Sequence, residues 1–269
     1  MPAWSEPFHA QPVAPAPRLR LPAAATKEWA EGDGRGTGVR VAIIDSGVRG
    51  DHPLVGGVAE YVAVERDTTT ETGVRLVAGP HDDLYGHGTA CASIIRGLAP
   101  GVELISVRVL GANLKGSALS FAYGLEWCIE HDVQVVNLSL STSNEEYLET
   151  FWDLLDQAAF RRVMLVSAMN NERRRTIPSE LSGVFSVACS PGTDRERFLC
   201  NPEGPAEWGA PGVDVEVAWS EGTMTASGNS FAAPVIAGHL ARIVATHPGI
   251  TPWQARTVLA AIADNATAH

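Results

Sequence analysis

Residues 39–45 read VRVAIID, a short run rich in β-branched side chains that ends on an acid. The apolar residues neither alternate cleanly nor repeat at helical spacing. A brief run that is apolar on both faces fits a strand buried inside a parallel sheet. Four more runs have the same character: VELISVRVL (102–110), VQVVNLSL (133–140), RVMLVSA (162–168) and VFSVAC (184–189). Between and after them lie helix-like stretches at 88–96, 116–131, 145–160 and 230–245. Strand–helix alternation predicts an α/β fold: a single domain whose mostly parallel central sheet carries helices on both faces. In such sheets ligands bind beyond the carboxyl ends of the strands. The residues that follow each run are therefore the first place to look for chemistry.

The bulk composition agrees with this architecture. A chain of 269 residues, 45% hydrophobic and 19% charged, suits one large packed α/β domain. Residues 1–25 hold six prolines and little apolar periodicity, and read as an extended Pro-rich arm ahead of a domain over 26–269. A net charge of −11 argues against nucleic acid as a partner, because phosphate binding needs a basic face. No apolar run reaches the roughly 18 residues that would span a membrane. The first residues show no basic start followed by an apolar stretch, so a cytoplasmic location is expected. The four cysteines, Cys91, Cys128, Cys189 and Cys200, form no CxxC pair. Reduced thiols are expected, with a Cys189–Cys200 bridge as the alternative.

Three stretches carry candidate chemistry. VAIIDSG sets Asp45 at the end of the first run, where it either serves a site or caps the turn before Gly47. DDLYGHGTACASII places His87 between two glycines at the start of a helix, where the backbone can approach another group closely. GNSFAAP places Ser230 at the start of the long small-residue helix, where partial positive charge favours a developing anion. Together these residues meet the needs of acyl transfer. A hydroxyl needs an imidazole to take its proton, and the imidazole needs a carboxylate to fix its tautomer. The chain order Asp, His, Ser is itself informative, since unrelated folds carry this trio in different orders.

On these residues the chain resembles the subtilisin-like serine proteases, the subtilases. The resemblance rests on VAIIDSGV, GHGTACAS, ISVRVLGANLKGS (105–117), GLEWCI (124–129), VVNLSLS (135–141), WGAPGVDV (208–215) and GNSFAAPVIAG (228–238), and runs from Ala25 to the end. It implies that Asp45, His87 and Ser230 form a catalytic triad that hydrolyses peptide bonds through an acyl-enzyme, without a cofactor. It also implies an oxyanion site made by the Ser230 N–H and an asparagine. The register of VMLVSA favours Asn170, and Asn171 is the alternative. Met169 stands where the family has glycine, Asn229 and Phe231 flank the serine where Thr and Met are usual, and Ser141 replaces a glycine of the cleft.

A peptide substrate is expected to lie as an added strand along Ser139, Leu140 and Ser141, with Ala168 and Met169 bordering the pocket for the residue before the cut. The shortened loop NNERRRTIPSEL carries Arg173, Arg174 and Arg175. These either recognise an acidic side chain through forked hydrogen bonds or belong to a solvated loop. No metal site is expected: Leu54 occupies a family carboxylate position, and SIIRGLAPGVEL lacks the inserted calcium loop. Residues 14–24, with Pro22, read either as a segment lying across the cleft or as a plain tail. The missing secretion signal and the altered pocket point to selective intracellular processing, such as maturation of a precursor peptide, with general intracellular turnover as the runner-up. The alternatives are a peptide-binding relative that does not cut, and an esterase or peptide ligase with the same triad. Oligomeric state is not legible.

Overall fold

The computed structural model of the chain describes Ser5, Leu19, Leu21, Pro22 and residues 25–266. Most of residues 14–24, read above either as a segment across the cleft or as a tail, lies outside the described residues. The chain enters through α1 (Lys27–Glu31), capped by the Thr26 side chain, and continues into β1 (Arg40–Asp45), β2 (Glu60–Arg66) and β3 (Val74–Ala78). It then runs through α2 (His87–Leu98), β4 (Glu103–Arg108), α3 (Ala118–Glu130), β5 (Val135–Leu138) and, after a single 3₁₀ turn at Glu145–Tyr147, α4 (Leu148–Phe160). The last part comprises β6 (Met164–Ala168), β7 (Phe185–Ser190), β8 (Leu199–Cys200), β9 (Trp208–Pro211), β10 (Val215–Trp219), β11 (Gly222–Ala226), α5 (Asn229–Thr246) and α6 (Pro252–Ala261).

Nine strands form one sheet in the order β3-β2-β4-β1-β5-β6-β7-β9-β8, and β10–β11 make a separate hairpin. Every neighbouring pair in the sheet is parallel except β2–β3 and β8–β9 at its two edges. The five strands read from the sequence all lie in the parallel interior. This is the α/β architecture expected, a single domain with helices on both faces.

Period-two geometry divides the core. Val41 and Ile43 of β1 pack into the layer that holds α2, α5 and α6, while Ala42 and Ile44 pack into the layer that holds α3 and α4. Asp45 follows Val41 and Ile43 in that alternation, so it leaves the sheet on the α2–α5 side. α5 is buried from Phe231 to Val244, which explains why it carries small and apolar residues all round. Strands β2, β3 and β4 lie to one side of β1, and β5, β6 and β7 to the other. The order therefore reverses between β1 and β5, the place where an open α/β sheet forms its crevice.

Candidate active site

Three adjacent strands deliver groups to that crevice. Asp45 ends β1, Ser139 follows β5, and residues 169–171 follow β6. Two helices on the same face begin there: α2 with His87 as its first residue and α5 with Ser230 as its second. Gly88 makes the approach of α2 to β1 possible, since a Cβ on it would run into the carbonyl oxygen of Gly47.

Asp45 is fully buried, and both of its carboxylate oxygens face His87 Nδ1, at 2.8 and 3.0 Å. Its Oδ1 also accepts the Ser46 N–H at 2.7 Å. These bonds make Nδ1 the protonated nitrogen and leave Nε2 as the acceptor. Burial works against the imidazolium, but the charge and hydrogen bond of Asp45, helped by Asp83, outweigh it and hold His87 above its ordinary pKa. The outer face of the ring lies against Phe231, with centroids 5.3 Å apart.

The Ser230 hydroxyl donates to the carbonyl of Ser139 at 3.3 Å, and that is its hydrogen bond in this structure. A hydroxyl is a free rotor, and bonds of this kind are often long in a resting site and tighten with substrate. The neighbouring backbone is held firmly. Pro234 sits four residues after Ser230 inside α5 and has no N–H, so it cannot satisfy the Ser230 carbonyl. The Ser139 hydroxyl does so instead, at 2.9 Å, with the Cys91 thiol at 3.5 Å. Asn137 in turn donates to the Ser139 hydroxyl at 2.9 Å.

The two asparagines after β6 face different ways. The Asn170 side chain turns back, its Oδ1 accepting the Glu172 N–H at 2.8 Å. The Asn171 Oδ1 accepts the Asn229 N–H at 2.9 Å, which sets its amide group beside Gly228 at the start of α5. The structure thus presents the alternative, Asn171, to the serine helix, and the favoured Asn170 to its own loop. Asn229 completes the junction: its Nδ2 donates to the carbonyls of Met169 (3.1 Å) and Asn170 (3.2 Å), and its Oδ1 accepts the Cys189 N–H.

Ala168 is buried at the end of β6, Met169 is half-buried, and Leu140 and Ser141, which follow the neighbouring β5, are at intermediate exposure. Thr142 is bound to Ile177 by two backbone hydrogen bonds of 2.9 Å, so the backbone just beyond Ser141 is already paired. Arg173, Arg174 and Arg175 are exposed between Asn171 and that bridge, and their guanidinium groups make no ion pair or hydrogen bond among the described residues.

The four cysteines are free thiols, and Cys189 and Cys200 are not joined. Two groups of described residues come close enough to share an ion: Asp45, His87 and Cys91, and Glu31, Glu196 and His239. The first is the pair already described, with a thiol whose burial pushes its pKa up; Arg242 occupies the second. Sequence reasoning passed over Asp83, Ser139 Oγ and Asn229 as structural groups of this site. Only Asp83 left a visible signal, as an acid in the loop just before the GHG turn.

The chain is similar to known proteins over most of its length. The family model described as the subtilase family matches residues 36–269. A thermostable alkaline protease of Halalkalibacterium halodurans is 32% identical over 237 residues, covering 82% of this chain and 61% of its own length. A subtilisin-like protease of Coccidioides posadasii is 33% identical over 216 residues, covering 74% of this chain and 50% of its own length. The chain therefore spans about three fifths and half of these two relatives. Subtilisin Savinase of Lederbergia lenta is 30% identical over 238 residues and is matched over 82% of its length. A crystal structure of a cold-adapted subtilisin-like serine proteinase superposes with a TM-score of 0.66 at 24% identity, over 84% of this chain and 82% of that one. With the family model spanning nearly the whole described domain, the chain belongs to the subtilase family.

Proposed function

We propose that the protein is a serine endopeptidase that cleaves peptide bonds through an acyl-enzyme on Ser230. The observation that carries this is the buried Asp45 carboxylate on His87 Nδ1, at the same sheet end as a serine on a helix N-terminus. Ser230 Oγ attacks the scissile carbonyl carbon while His87 Nε2 takes its proton. Asp45 stabilises the imidazolium that forms. The oxyanion is held by the Ser230 N–H, which has no partner within its helix, and by the Asn171 amide, in preference to Asn170. The tetrahedral species then expels the amine, which takes the proton back from His87, and water repeats the sequence to release the acyl group.

The finer reading is selective processing of a precursor peptide within the cytoplasm. Its support is the Thr142–Ile177 bridge, which pairs the backbone just beyond Ser141, and the exposed arginine loop beside it. No helix of the described residues is long and apolar enough to cross a membrane. A second reading, a relative that binds peptides without cutting them, draws on the Ser230 hydroxyl being turned to Ser139.

A fluorophosphonate probe separates the two. Covalent labelling of the folded chain that disappears in Ser230→Ala, together with cleavage of a peptide library mapped by mass spectrometry, is the expected result. A folded chain that takes no label would leave only the binding reading.

A further inference from the structure

We propose that Asp83 is a positioning residue for the triad, holding the Asp45 and His87 backbones in fixed relation and supplying a second negative charge to the imidazole. The inference rests on the peptidase reading of this site and adds to it a group outside the triad.

Asp83 lies in the loop between β3 and α2, and its two carboxylate oxygens accept from five donors. Oδ1 takes the Ser46 hydroxyl at 2.7 Å and the N–H groups of Gly86 at 2.8 Å and Tyr85 at 3.1 Å. Oδ2 takes the Thr89 N–H at 2.9 Å and the Thr89 hydroxyl at 2.6 Å. These donors come from both sides of the triad. Ser46 is the residue after Asp45; Gly86 and Thr89 flank His87. The same hydroxyls carry the connection onward. Ser46 Oγ accepts the Gly88 N–H at 3.3 Å, and Thr89 Oγ1 accepts the Arg49 N–H at 2.9 Å. The Leu84 N–H closes the loop on the Ser46 carbonyl at 2.9 Å.

One carboxylate thus joins the end of β1 to the first turn of α2, the two segments that must keep Asp45 and His87 at 2.8 Å. Only an ionised carboxylate offers so many acceptor sites with no donor of its own. An amide in its place would turn an N–H₂ toward one set of donors. The N–H groups of the first turn of α2, which have no partner within the helix itself, explain why a negative group is stable there.

The electrostatic role follows from what surrounds the ring. Asp45 hydrogen-bonds the His87 ring from β1, Asp83 binds the backbone N–H groups of Gly86 and Thr89 on either side of it, the Cys91 thiol lies close by on the next turn of α2, and the uncharged Phe231 ring packs on it from α5. With Asp83 removed, the imidazolium keeps the Asp45 carboxylate but loses the support of the second one.

The test uses two variants of the full chain and two readouts. Asp83→Asn keeps the size of the side chain and removes its charge. The acid limb of its kcat/KM profile should move to lower pH by about half a unit, with KM within about twofold. Asp83→Ala removes the junction, and its kcat should fall about 10- to 100-fold with KM again little changed, because the acid and base lose alignment while the peptide cleft does not. The His87 imidazole titration, followed by NMR, should show the same shift in Asp83→Asn whether or not a substrate is cleaved. An unshifted His87 titration in folded Asp83→Asn overturns the electrostatic role. Asp83→Ala that loses thermal stability but keeps kcat overturns the positioning role; should that variant not fold, a kcat in Asp83→Asn equal to wild type at its own optimum does so. Failure of the peptidase reading looks different: the wild-type chain itself would neither cleave nor label.

Discussion

Pro234 illustrates how much of this site rests on single atoms. The proline withholds an N–H from the Ser230 carbonyl, and the Ser139 hydroxyl fills the gap. Ser139→Ala should leave a buried acceptor short of its main donor and lower the free energy of unfolding by about 1–3 kcal/mol, read by urea denaturation. Pro234→Ala restores the helical N–H. The double variant should therefore recover most of that loss, a coupling that independent sites would not show. If the two effects merely add, the carbonyl is satisfied some other way. A second expectation at this scale concerns His87. The neutral ring is the proton acceptor, so activity should rise as pH climbs through its raised pKa, with a midpoint above the ordinary value of about 6.5. The linked stability runs the opposite way: the imidazolium–Asp45 attraction is fully present below the ordinary pKa and fades as pH rises through the folded one. In Asp45→Asn burial dominates, so the midpoint should drop below that of wild type, with kcat down by about 10⁴. A midpoint that stays put would mean that Asp45 does not govern the ring.

Among the elements, the legible ones are those whose environment leaves a strong mark on composition. β1, β4, β5, β6 and β7 are buried on both faces, so each is a dense apolar run. β2, β3 and the β10–β11 hairpin lie toward an edge or outside the sheet, and their mixed polar sequences, such as EYVAVER, look like loop. α6 was missed although Thr251 and Gln254 form a capping box ahead of it. The three triad motifs were legible because each joins a reactive side chain to a strand end or helix start. The choice between Asn170 and Asn171 was not, because it depends on which of two adjacent side chains turns inward as the chain leaves β6. That turn is fixed by Asn229, 58 residues away from Asn171.

The loop from Asn171 to Ile177 carries the specificity prediction. Its three arginines are exposed, have no acidic partner among the described residues, and lie between Asn171 and the bridge to Thr142. A charged side chain without a partner is available to a ligand, and a guanidinium fork matches a carboxylate. Peptide-library digestion should show cuts enriched after Asp or Glu. Replacing Arg173, Arg174 and Arg175 with Ala should lower kcat/KM for acidic peptides about 10-fold or more and leave neutral ones within about twofold. Cuts after large apolar residues, unaltered in the triple variant, would mark the loop as a solvated face.

At the scale of the whole molecule, α5 is anchored twice, and the two anchors do different work. Its first turn meets Ser139, Cys91 and Asn171. About 14 Å further along, counting nine residues at helical rise from Ser230 to His239, a buried charge cluster grips its middle. Glu31 of α1 faces His239 Nδ1 at 2.6 Å and the Arg242 guanidinium at 3.0 Å. Arg242 also binds Glu196 at 2.7 Å and the Leu98 carbonyl that ends α2, and His239 Nε2 donates to the Arg195 carbonyl. The cluster thus joins α1, the end of α2, α5 and the 195–196 loop. Glu31 and His239 are buried, where an unpaired charge is costly. Glu31→Gln should therefore lower the free energy of unfolding by about 3 kcal/mol, while kcat/KM of the folded fraction changes less than about twofold because the first anchor is untouched. If Glu31→Gln costs under about 1 kcal/mol, the cluster behaves as a solvated surface pair and the division of labour along α5 fails.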